Sequence, residues 1–399
     1  MRDTLEIFLF VDALGWELVE RTGFLVEELP QRRPIRMQFG YSCSAIPTIL
    51  SGSTPSTNGH LSYFNYAPER SPFRAFRWLR HLFHPRHFWE RGRIRHWLSK
   101  VVRFFLGYTG YFQLYRMPLD KLPLMDYAEK RDLFRPGGLG EIPNLADVLA
   151  TSGLDHHISD WRLGDRRSLE VARELVEGER IEFAFLYTAQ LDAIEHDHAL
   201  EPDAPAIRRQ LDFYAEEVRG LLAAAKAHYR TVRFTLFSDH GMTPLKRTFD
   251  IEAVLRKTGL KFNVDYVSCI DSTLLRVYYL KPDARPILEA ALAEAGCPGR
   301  WLSPDEERRN GVYRADRRFG DEIFLAEPGV QFSPSDMGAK PLNGMHGYDP
   351  DDRYSTAAIL SNVPIPEDIR EVRDYFRLME RRIRECRGEK QGCKGAMET

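Results

Sequence analysis

Short runs of apolar residues recur along the chain, and each is followed at once by acidic or imidazole side chains. The clearest run covers 5–11 and ends at Asp12, and similar runs cover 183–187 and 232–237. Continuous apolar runs of this length are typical of strands that are buried on both faces of a parallel sheet. The pattern therefore predicts a central strand for each run, with a polar loop at its carboxyl end.

Between these runs, the apolar positions follow a helical period. Segments 168–177 and 205–227 show it, and 367–386 has the spacing of a closing helix, after a late strand near 356–360. Strands that alternate with helices indicate an α/β fold, with a mostly parallel central sheet and helices on both faces. Ligands of such sheets bind beyond the carboxyl ends of the strands, which is where the acidic and imidazole residues lie.

Two regions interrupt this alternation and are predicted to be insertions in one catalytic domain over 1–385. Region 250–340, with a strand at 273–280, is expected to form a cap subdomain. Region 71–117 is expected to add a basic, aromatic helical segment. Residues 386–399 are expected to form a flexible tail.

The 71–117 insertion has a net charge opposite to that of the rest of the chain. It contains ten Lys and Arg residues against one acid, Glu90, so it carries +9, and because the whole chain carries −2 the remainder carries −11. It also holds Trp78, Trp89 and Trp97, half of the six tryptophans. Two hypotheses remain open, a pair of cap helices packed on the core and a segment that lies on an anionic membrane. Binding of a polyanion is a third, but no nucleic-acid-binding motif is recognisable.

Composition limits the class of protein. The chain has 399 residues, of which 43% are hydrophobic and 29% charged, as in ordinary globular proteins. No apolar run is long enough for a transmembrane helix, and the N-terminus lacks the basic start of a secretory signal. Five widely spaced cysteines indicate reduced thiols. A cytoplasmic location is therefore expected, peripheral at the inner membrane face if the insertion binds lipid.

The polar residues after the predicted strands are suited to holding two divalent metal ions. They are Asp12, Asp192, His196, Asp239, His240 and His346. Zn²⁺ binds such mixed carboxylate and imidazole sets, and Mn²⁺ accepts the same donors. Asp192 and His196 lie one helical turn apart, so both can face one ion. Because two ions can stabilise the nucleophile, the leaving group and the phosphate oxygens together, the set predicts a two-metal enzyme that acts on phosphate esters.

The order of the motifs resembles that of the alkaline phosphatase superfamily, in its branch of type I phosphodiesterases and nucleotide pyrophosphatases. An Asp follows the first strand, hydroxyl residues occur in 41–52, and Asp-x-x-x-His, Ser-Asp-His-Gly-Met and Gly-Met-His-Gly-Tyr follow at 192–196, 238–242 and 344–348. The resemblance implies an alkaline phosphatase-like core with inserted cap regions.

The resemblance also implies how the ligands divide. Asp192, His196 and His346 would hold one ion, whereas Asp12, Asp239, His240 and the nucleophile would hold the other. In this branch the nucleophile lies ten residues before the Gly of a Ser/Thr-Gly-x-x-Pro turn, and counting back from Gly52 gives Ser42. Ser44 and Thr48 are the alternatives. A Ser at a helix N-terminus and beside a metal has a lowered pKa, which favours attack.

Substrate contacts are less clearly indicated. The related enzymes have an Asn where this chain has Tyr63, and Asn65 is near enough to replace it, so both are predicted to bind substrate. The expected function is hydrolysis of a phosphate ester through a covalent phospho-Ser42 intermediate. The alternatives are a transferase of phosphoglycerol or phosphoethanolamine to a glycan or lipid, a sulfatase-like hydrolase and a non-catalytic scaffold at a membrane surface. The sulfatase motif Cys-x-Pro-Ser-Arg is absent from the chain.

Overall fold

A computed structural model of the chain describes residues 2–79, 89, 91–199 and 201–397. The strands of this part are β1 (Arg2–Val11), β2 (Gln31–Ile35), β3 (Phe64–Tyr66), β4 (Met125–Tyr127), β5 (His156–Ile158), β6 (Phe183–Thr188), β7 (Tyr229–Phe237), β8 (Thr243–Pro244), β9 (Arg247–Phe249), β10 (Tyr266–Asp271), β11 (Leu274–Tyr279), β12 (Gly299–Trp301), β13 (Glu322–Ala326), β14 (Val330–Phe332), β15 (Gly344–Met345) and β16 (Ala357–Ser361). The helices are α1 (Trp16–Thr22), α2 (Ser42–Ser51), α3 (Pro55–Asn58), α4 (Phe76–Leu79), α5 (Gly92–Leu106), α6 (Leu145–Ala150), α7 (Asp165–Glu177), α8 (Gln190–His198), α9 (Pro205–His228), α10 (Ile251–Lys257), α11 (Ala284–Glu294), α12 (Pro304–Arg309) and α13 (Asp374–Met397).

Six strands form the central sheet, in the order β2-β16-β7-β1-β6-β5. Strands β5, β6, β1 and β7 run parallel, and β16 pairs antiparallel with β7 and with β2. The four strands expected from the apolar runs are present as β1, β6, β7 and β16. The prediction of a mostly parallel sheet is therefore confirmed.

Helices cover both faces of this sheet, and alternate residues of β1 enter separate hydrophobic clusters. Leu5, Ile7 and Leu9 pack with α7 and α9 on one face. Phe8 and Phe10 pack with α2, α6 and α13 on the other. Successive side chains of a strand point to opposite faces, so a continuous apolar stretch such as 7–11 requires cover on both sides. The α/β class follows from this layering.

The region predicted as a cap contains a sheet of its own. Its strands are antiparallel and lie in the order β10-β11-β13-β12. Helices α10 and α11 pack on this sheet through Leu255, Leu288 and Leu292. The turn between β10 and β11 contacts the residue before α2, and it therefore connects the second sheet with the segment that was predicted to carry the nucleophile.

The 71–117 insertion lies within the described residues except for 80–88 and 90, so the predicted helical segment falls partly outside them. The inner face of α5 packs through Leu98 and Val102 into a cluster with Phe64 and Tyr127. This packing is what the cap-helix hypothesis expects of the inner face. Among the described residues, no helix has both the length and the apolar character to cross a bilayer.

The closing helix α13 differs from its expected bounds at both ends. It begins at Asp374 rather than near 367, because the preceding residues form an extended bridge in which Arg36 donates to the Arg370 carbonyl and Val372 donates to the Arg36 carbonyl. It also continues to Met397, past the expected start of a tail at 386. This stretch has no sustained run of apolar positions at helical spacing, so the apolar period predicted a helix that was too short.

Candidate metal centre and nucleophile

The carboxyl ends of three neighbouring parallel strands bring most of the predicted ligands together. Asp12 follows β1, α8 with Asp192 and His196 follows β6, and Asp239 and His240 follow β7. Because β7, β1 and β6 are adjacent and parallel, their ends lie side by side at one edge of the sheet. The sheet order thus explains why residues so distant in the chain meet.

The first group of ligands surrounds His240. Its Nε2 lies 3.5 Å from Asp12 Oδ1 and 3.2 Å from Asp239 Oδ2. The other oxygen of Asp239 accepts from the backbone N–H of His240 at 3.0 Å and from that of Ala13 at 3.3 Å. These two backbone bonds orient the carboxylate, so that Oδ2 points toward Asp12 and His240.

The second group surrounds Asp192. Its two oxygens lie 3.5 Å from the Nε2 atoms of His196 and of His346. His346 reaches this place because β15 pairs with β8, where Met345 is opposite Thr243, shortly after the first group in the chain. The short pairing of β15 with β8 therefore positions His346, the last of the predicted ligands.

The two groups adjoin one another. Ligand atoms of Asp12, Asp239 and His240 lie within 4.8 Å of one another, and so do those of Asp192, His240 and His346. The rings of His240 and His346 are stacked, with centroids 3.8 Å apart and planes 12° apart. His240 thus belongs to both sets, and the two sets of candidate ligands are adjacent.

Backbone carbonyls select the tautomers of two of these histidines. His196 Nδ1 donates to the Gly344 carbonyl at 2.9 Å, and His240 Nδ1 donates to the Gly241 carbonyl at 3.0 Å. A carbonyl oxygen only accepts, so Nδ1 carries the proton in each ring and Nε2 presents a lone pair. Metal-binding histidines in proteins commonly have this second hydrogen bond.

Burial leaves the carboxylates electrostatically uncompensated. Burial raises the pKa of Asp12 well above its usual value, and the charges of Asp239 and Asp192 raise it further. Burial also raises the pKa of Asp239. Within the described part of the chain, Asp12 Oδ1, Asp192 Oδ1 and Asp239 Oδ2 are buried without a hydrogen-bond partner.

Divalent cations would satisfy this set. Ionised carboxylates inside a protein require a compensating cation, and three buried oxygens without partners point to the same region. The pKa of His346 is lowered by burial and by the neighbouring His240 and His196, which keeps the imidazole neutral, as a metal ligand must be. The residues present therefore fit two divalent ions.

Ser42 is the hydroxyl that reaches this group. It is the first residue of α2, and its Oγ lies 3.1 Å from His240 Nε2. The alternatives are engaged elsewhere, since Ser44 Oγ donates to the Phe39 carbonyl at 2.8 Å and Thr48 Oγ1 donates to the Ser44 carbonyl at 2.9 Å. Both are fully buried. The structure thus places Ser42, and neither alternative, beside the predicted ligands.

A cavity of about 590 Å³ opens beside Ser42. Asp12, Asp192, His196 and His346 line its floor. One side is aromatic and is termed here the aromatic wall, which consists of Tyr63, Tyr111, Tyr115, Phe134, Trp161 and Tyr187. Lys340 also lines the cavity. The space thus offers a polar floor for a charged group and an apolar side for whatever that group carries.

Comparison with known proteins agrees with the motifs and the geometry. The family model of type I phosphodiesterase/nucleotide pyrophosphatase matches residues 40–349, more than half of the chain. The chain belongs to this family. Members of the type I phosphodiesterase family hydrolyse phosphate esters and in general depend on two metal ions, so the predicted family and the predicted class of reaction are confirmed.

Solved structures show the same fold. Human ectonucleotide pyrophosphatase/phosphodiesterase 5 is 14% identical, with a TM-score of 0.64 over 96% of this chain and 95% of that chain. The inactive murine counterpart in complex with AMP gives the same values. At this identity the likeness concerns the fold alone. A search among curated proteins finds no match.

The two predicted substrate contacts of this phosphodiesterase differ in position. Tyr63 lines the cavity, stacked on Tyr127 with centroids 5.7 Å apart and planes 6° apart. Asn65 points elsewhere, because its Oδ1 accepts from the buried Arg276 at 3.1 Å. Asn65 does not line this cavity, so the structure does not support the prediction that Asn65 binds substrate there.

Sequence reasoning missed two features of the site. The aromatic wall is one, and no local period in the sequence indicated it. The other is the support of Tyr41, which precedes the nucleophile. Its hydroxyl donates to the Asp271 carbonyl, lies 2.7 Å from Thr273 Oγ1 and accepts from Thr273 N at 3.0 Å. The second sheet thus holds the residue next to Ser42.

Proposed function

We propose that the protein is a two-metal phosphodiesterase that acts through a covalent phosphoryl intermediate on Ser42. The observation that carries this proposal is the position of Ser42 Oγ, 3.1 Å from Nε2 of His240, the residue that belongs to both ligand groups. A nucleophile in contact with the residue common to both groups would lie beside both cations. Family membership supports hydrolysis, and this contact supports the mechanism.

Asp192, His196 and His346 would hold one ion, and Asp12, Asp239, His240 and Ser42 the other. Zn²⁺ fits this donor set best, and Mn²⁺ is the alternative. When bound, the ions would supply positive charge to the phosphate oxygens and to the leaving oxygen.

The residues of the chain divide the remaining work. Ser42 Oγ attacks phosphorus, the bond from phosphorus to the leaving oxygen breaks, and Ser42 carries the phosphoryl group until water releases it. The position of Ser42 at the N-terminus of α2 favours its ionised form, because the helix dipole is positive there. Tyr41 restrains the backbone next to Ser42 through its bonds to the second sheet.

The aromatic wall supports a substrate whose leaving group or remaining substituent is apolar or planar. Aromatic side chains bind such groups by stacking and by burial of apolar area. The complex of the murine relative with AMP, which has a planar base, is in accord with this substrate class. A diester with an aryl group is therefore the first substrate to test.

One panel of substrates tests the proposal. The purified protein, with Zn²⁺ or Mn²⁺, is offered a bis-aryl phosphate, an aryl phosphate and an aryl sulfate. We expect the bis-aryl phosphate to be hydrolysed fastest, with loss of activity in chelator. Preference for the sulfate would contradict the proposal. Hydrolysis that is slow without a lipid or glycan acceptor and fast with one would assign the site to a transferase, and inertness toward all three esters would favour a non-catalytic scaffold.

Substitution of Ser42 tests the intermediate. Ser42→Ala should lose at least about 1,000-fold in kcat while still binding metal, because removal of a nucleophile commonly costs this much. Ser44→Ala is the matched control on the same helix and should retain a substantial rate. A dead Ser44→Ala beside an active Ser42→Ala would refute the assignment. A phosphoryl adduct on Ser42, found by mass spectrometry after an acid quench, would support it directly.

A further inference from the structure

The outer face of α5 exposes large aromatic side chains, where a helix on a protein surface is ordinarily polar. Trp97 is 59% exposed and Phe104 is 80% exposed, whereas Leu98 and Val102 on the inner face are buried. Trp97 and Phe104 lie seven residues apart, two turns of helix, and so belong to one stripe. Phe105, 79% exposed, lies beside the stripe. Since the inner face already packs on the protein, the outer aromatics need another partner.

Two cations lie on the same stripe. Arg93 is four residues before Trp97, and Lys100 is three residues after it, so the outer face presents Arg93, Trp97, Lys100 and Phe104 in order. Both cations are exposed, and among the described residues neither forms an ion pair. Cationic and aromatic side chains thus alternate along one face, which is termed here the outer face of α5.

We infer that the outer face of α5 docks on an anionic lipid bilayer. Aromatic side chains of an amphipathic helix enter the boundary between headgroups and acyl chains, while Lys and Arg contact the lipid phosphates. Charge complementarity favours this occupant, because the 71–117 insertion carries +9 whereas the rest of the chain carries −11. The anionic bilayer therefore attracts the insertion and repels the remainder, which orients the protein on the surface.

A second copy of the chain fits this face poorly. In a symmetric dimer the same surface patch lies on both subunits, so the cations of one copy would meet those of the other. Such a contact brings like charges together without any acid on the stripe to separate them. The charge pattern thus favours lipid over self-association.

A side chain of α5 that lies outside this outer face connects the helix with the catalytic cavity. Arg103 of α5 lies over the ring of Trp161, 5.8 Å from its centroid. Trp161 lines the cavity and contacts Tyr111 of the aromatic wall, with centroids 5.9 Å apart. The helix that carries the outer face is therefore in contact with the aromatic wall of the cavity. This docking does not depend on the proposed reaction.

Sedimentation with vesicles tests the inference on the full chain. Vesicles of phosphatidylcholine alone are compared with vesicles of phosphatidylcholine and phosphatidylglycerol, at low and high salt. We expect binding to the anionic vesicles only, weaker at high salt. Arg93→Ala with Lys100→Ala should weaken it roughly 25-fold, because each basic residue near an anionic surface contributes about five-fold.

Matched variants distinguish the contribution of the outer face of α5 to vesicle binding from that of exposed side chains elsewhere. Trp97→Ala with Phe104→Ala should abolish binding, whereas Ile287→Ala with Lys226→Ala should leave it unchanged. This control pair removes an exposed aliphatic and an exposed cation from helices elsewhere, α11 and α9. Because all of these side chains are exposed, every variant should keep the turnover of a small soluble aryl ester and the melting temperature of the wild type.

Several results would overturn the inference. Equal binding to both kinds of vesicle, or none to either, would leave α5 as a cap helix alone. A dimer in solution that dissociates in Trp97→Ala with Phe104→Ala would assign the face to self-association. Tighter binding of a single-stranded oligonucleotide than of vesicles, sensitive to the same variants, would assign it to a nucleic acid.

Discussion

The buried carboxylates of the metal centre should destabilise the protein when metal is removed, and Asp12→Asn should relieve this. Asp12 is 4% exposed, and its Oδ1 has no hydrogen-bond partner among the described residues. An uncompensated buried charge costs about 3–5 kcal/mol, of which a neutral isostere should recover roughly half or more. In chelator, Asp12→Asn should therefore be more stable than the wild type by about 2–4 kcal/mol.

Thermal unfolding measures this difference. The entropy of unfolding is about 2.1 cal/mol/K per residue, so 1 kcal/mol shifts the melting temperature of a chain of this length by about 1 °C. The expected shift in chelator is thus an increase of about 2–5 °C. With Zn²⁺ at one hundred times its dissociation constant, each site adds about 2.7 kcal/mol to the wild type, and the variant should lose one such gain.

The pH dependence provides a further check. A raised folded-state pKa means that the folded apoprotein binds a proton on Asp12 more tightly than the unfolded chain does. In chelator, the stability that Asp12→Asn gains over the wild type is therefore greatest above the raised pKa. It disappears as the pH falls toward 3.8, the ordinary pKa of this group. Asp197 is an exposed neighbour of His196, so Asp197→Asn is the matched control, and its melting temperature in chelator should equal that of the wild type. Lower stability of Asp12→Asn than of the wild type in chelator would refute the reasoning.

Two further predictions concern residues that line or support the cavity. Tyr41→Phe removes the hydroxyl that bonds Thr273. It should lower kcat about five-fold, with KM and melting temperature nearly unchanged, because such a bond is worth about 1 kcal/mol. An equal loss of kcat in Ser44→Ala would show instead that any change near α2 has this effect. Burial raises the pKa of Glu129, which lines the cavity, to about 8, so the side chain is neutral below that pH and repels an anionic ester above it. The kcat/KM of the wild type should therefore fall as pH rises through about 8, and in Glu129→Gln this fall should be absent. The same dependence of kcat/KM on pH in both proteins would exclude Glu129 as the cause of the fall.

The local sequence pattern was sufficient to place a site residue wherever a single strand or helix determines its position. The end of β1 is apolar over 7–11 because both of its faces are covered there, so its end and Asp12 could be placed from the sequence. Asp192 and His196 share one face of a helix by spacing alone. His346 differs, because a two-residue ladder brings it to the site and only the resemblance to a family could indicate it.

Features that depend on distant pairing could not be predicted. The aromatic wall combines Tyr63, Tyr111 and Trp161 from three segments, and no local period links them. Asn65 is turned away from the cavity by Arg276, a partner more than two hundred residues later in the chain. The late start of α13 likewise depends on pairing with Arg36, far away in the sequence.

The attachment of Tyr41 to the second sheet has a consequence for engineering and for evolution. An inserted subdomain is commonly treated as a module that can be deleted or exchanged to alter specificity. Here the turn that carries Thr273 also anchors the residue before the nucleophile, so a graft that replaces it would detach the start of α2. Specificity in this enzyme can therefore be varied at the rim of the cavity, but a viable exchange of the second sheet must retain the Asp271–Thr273 turn together with Tyr41.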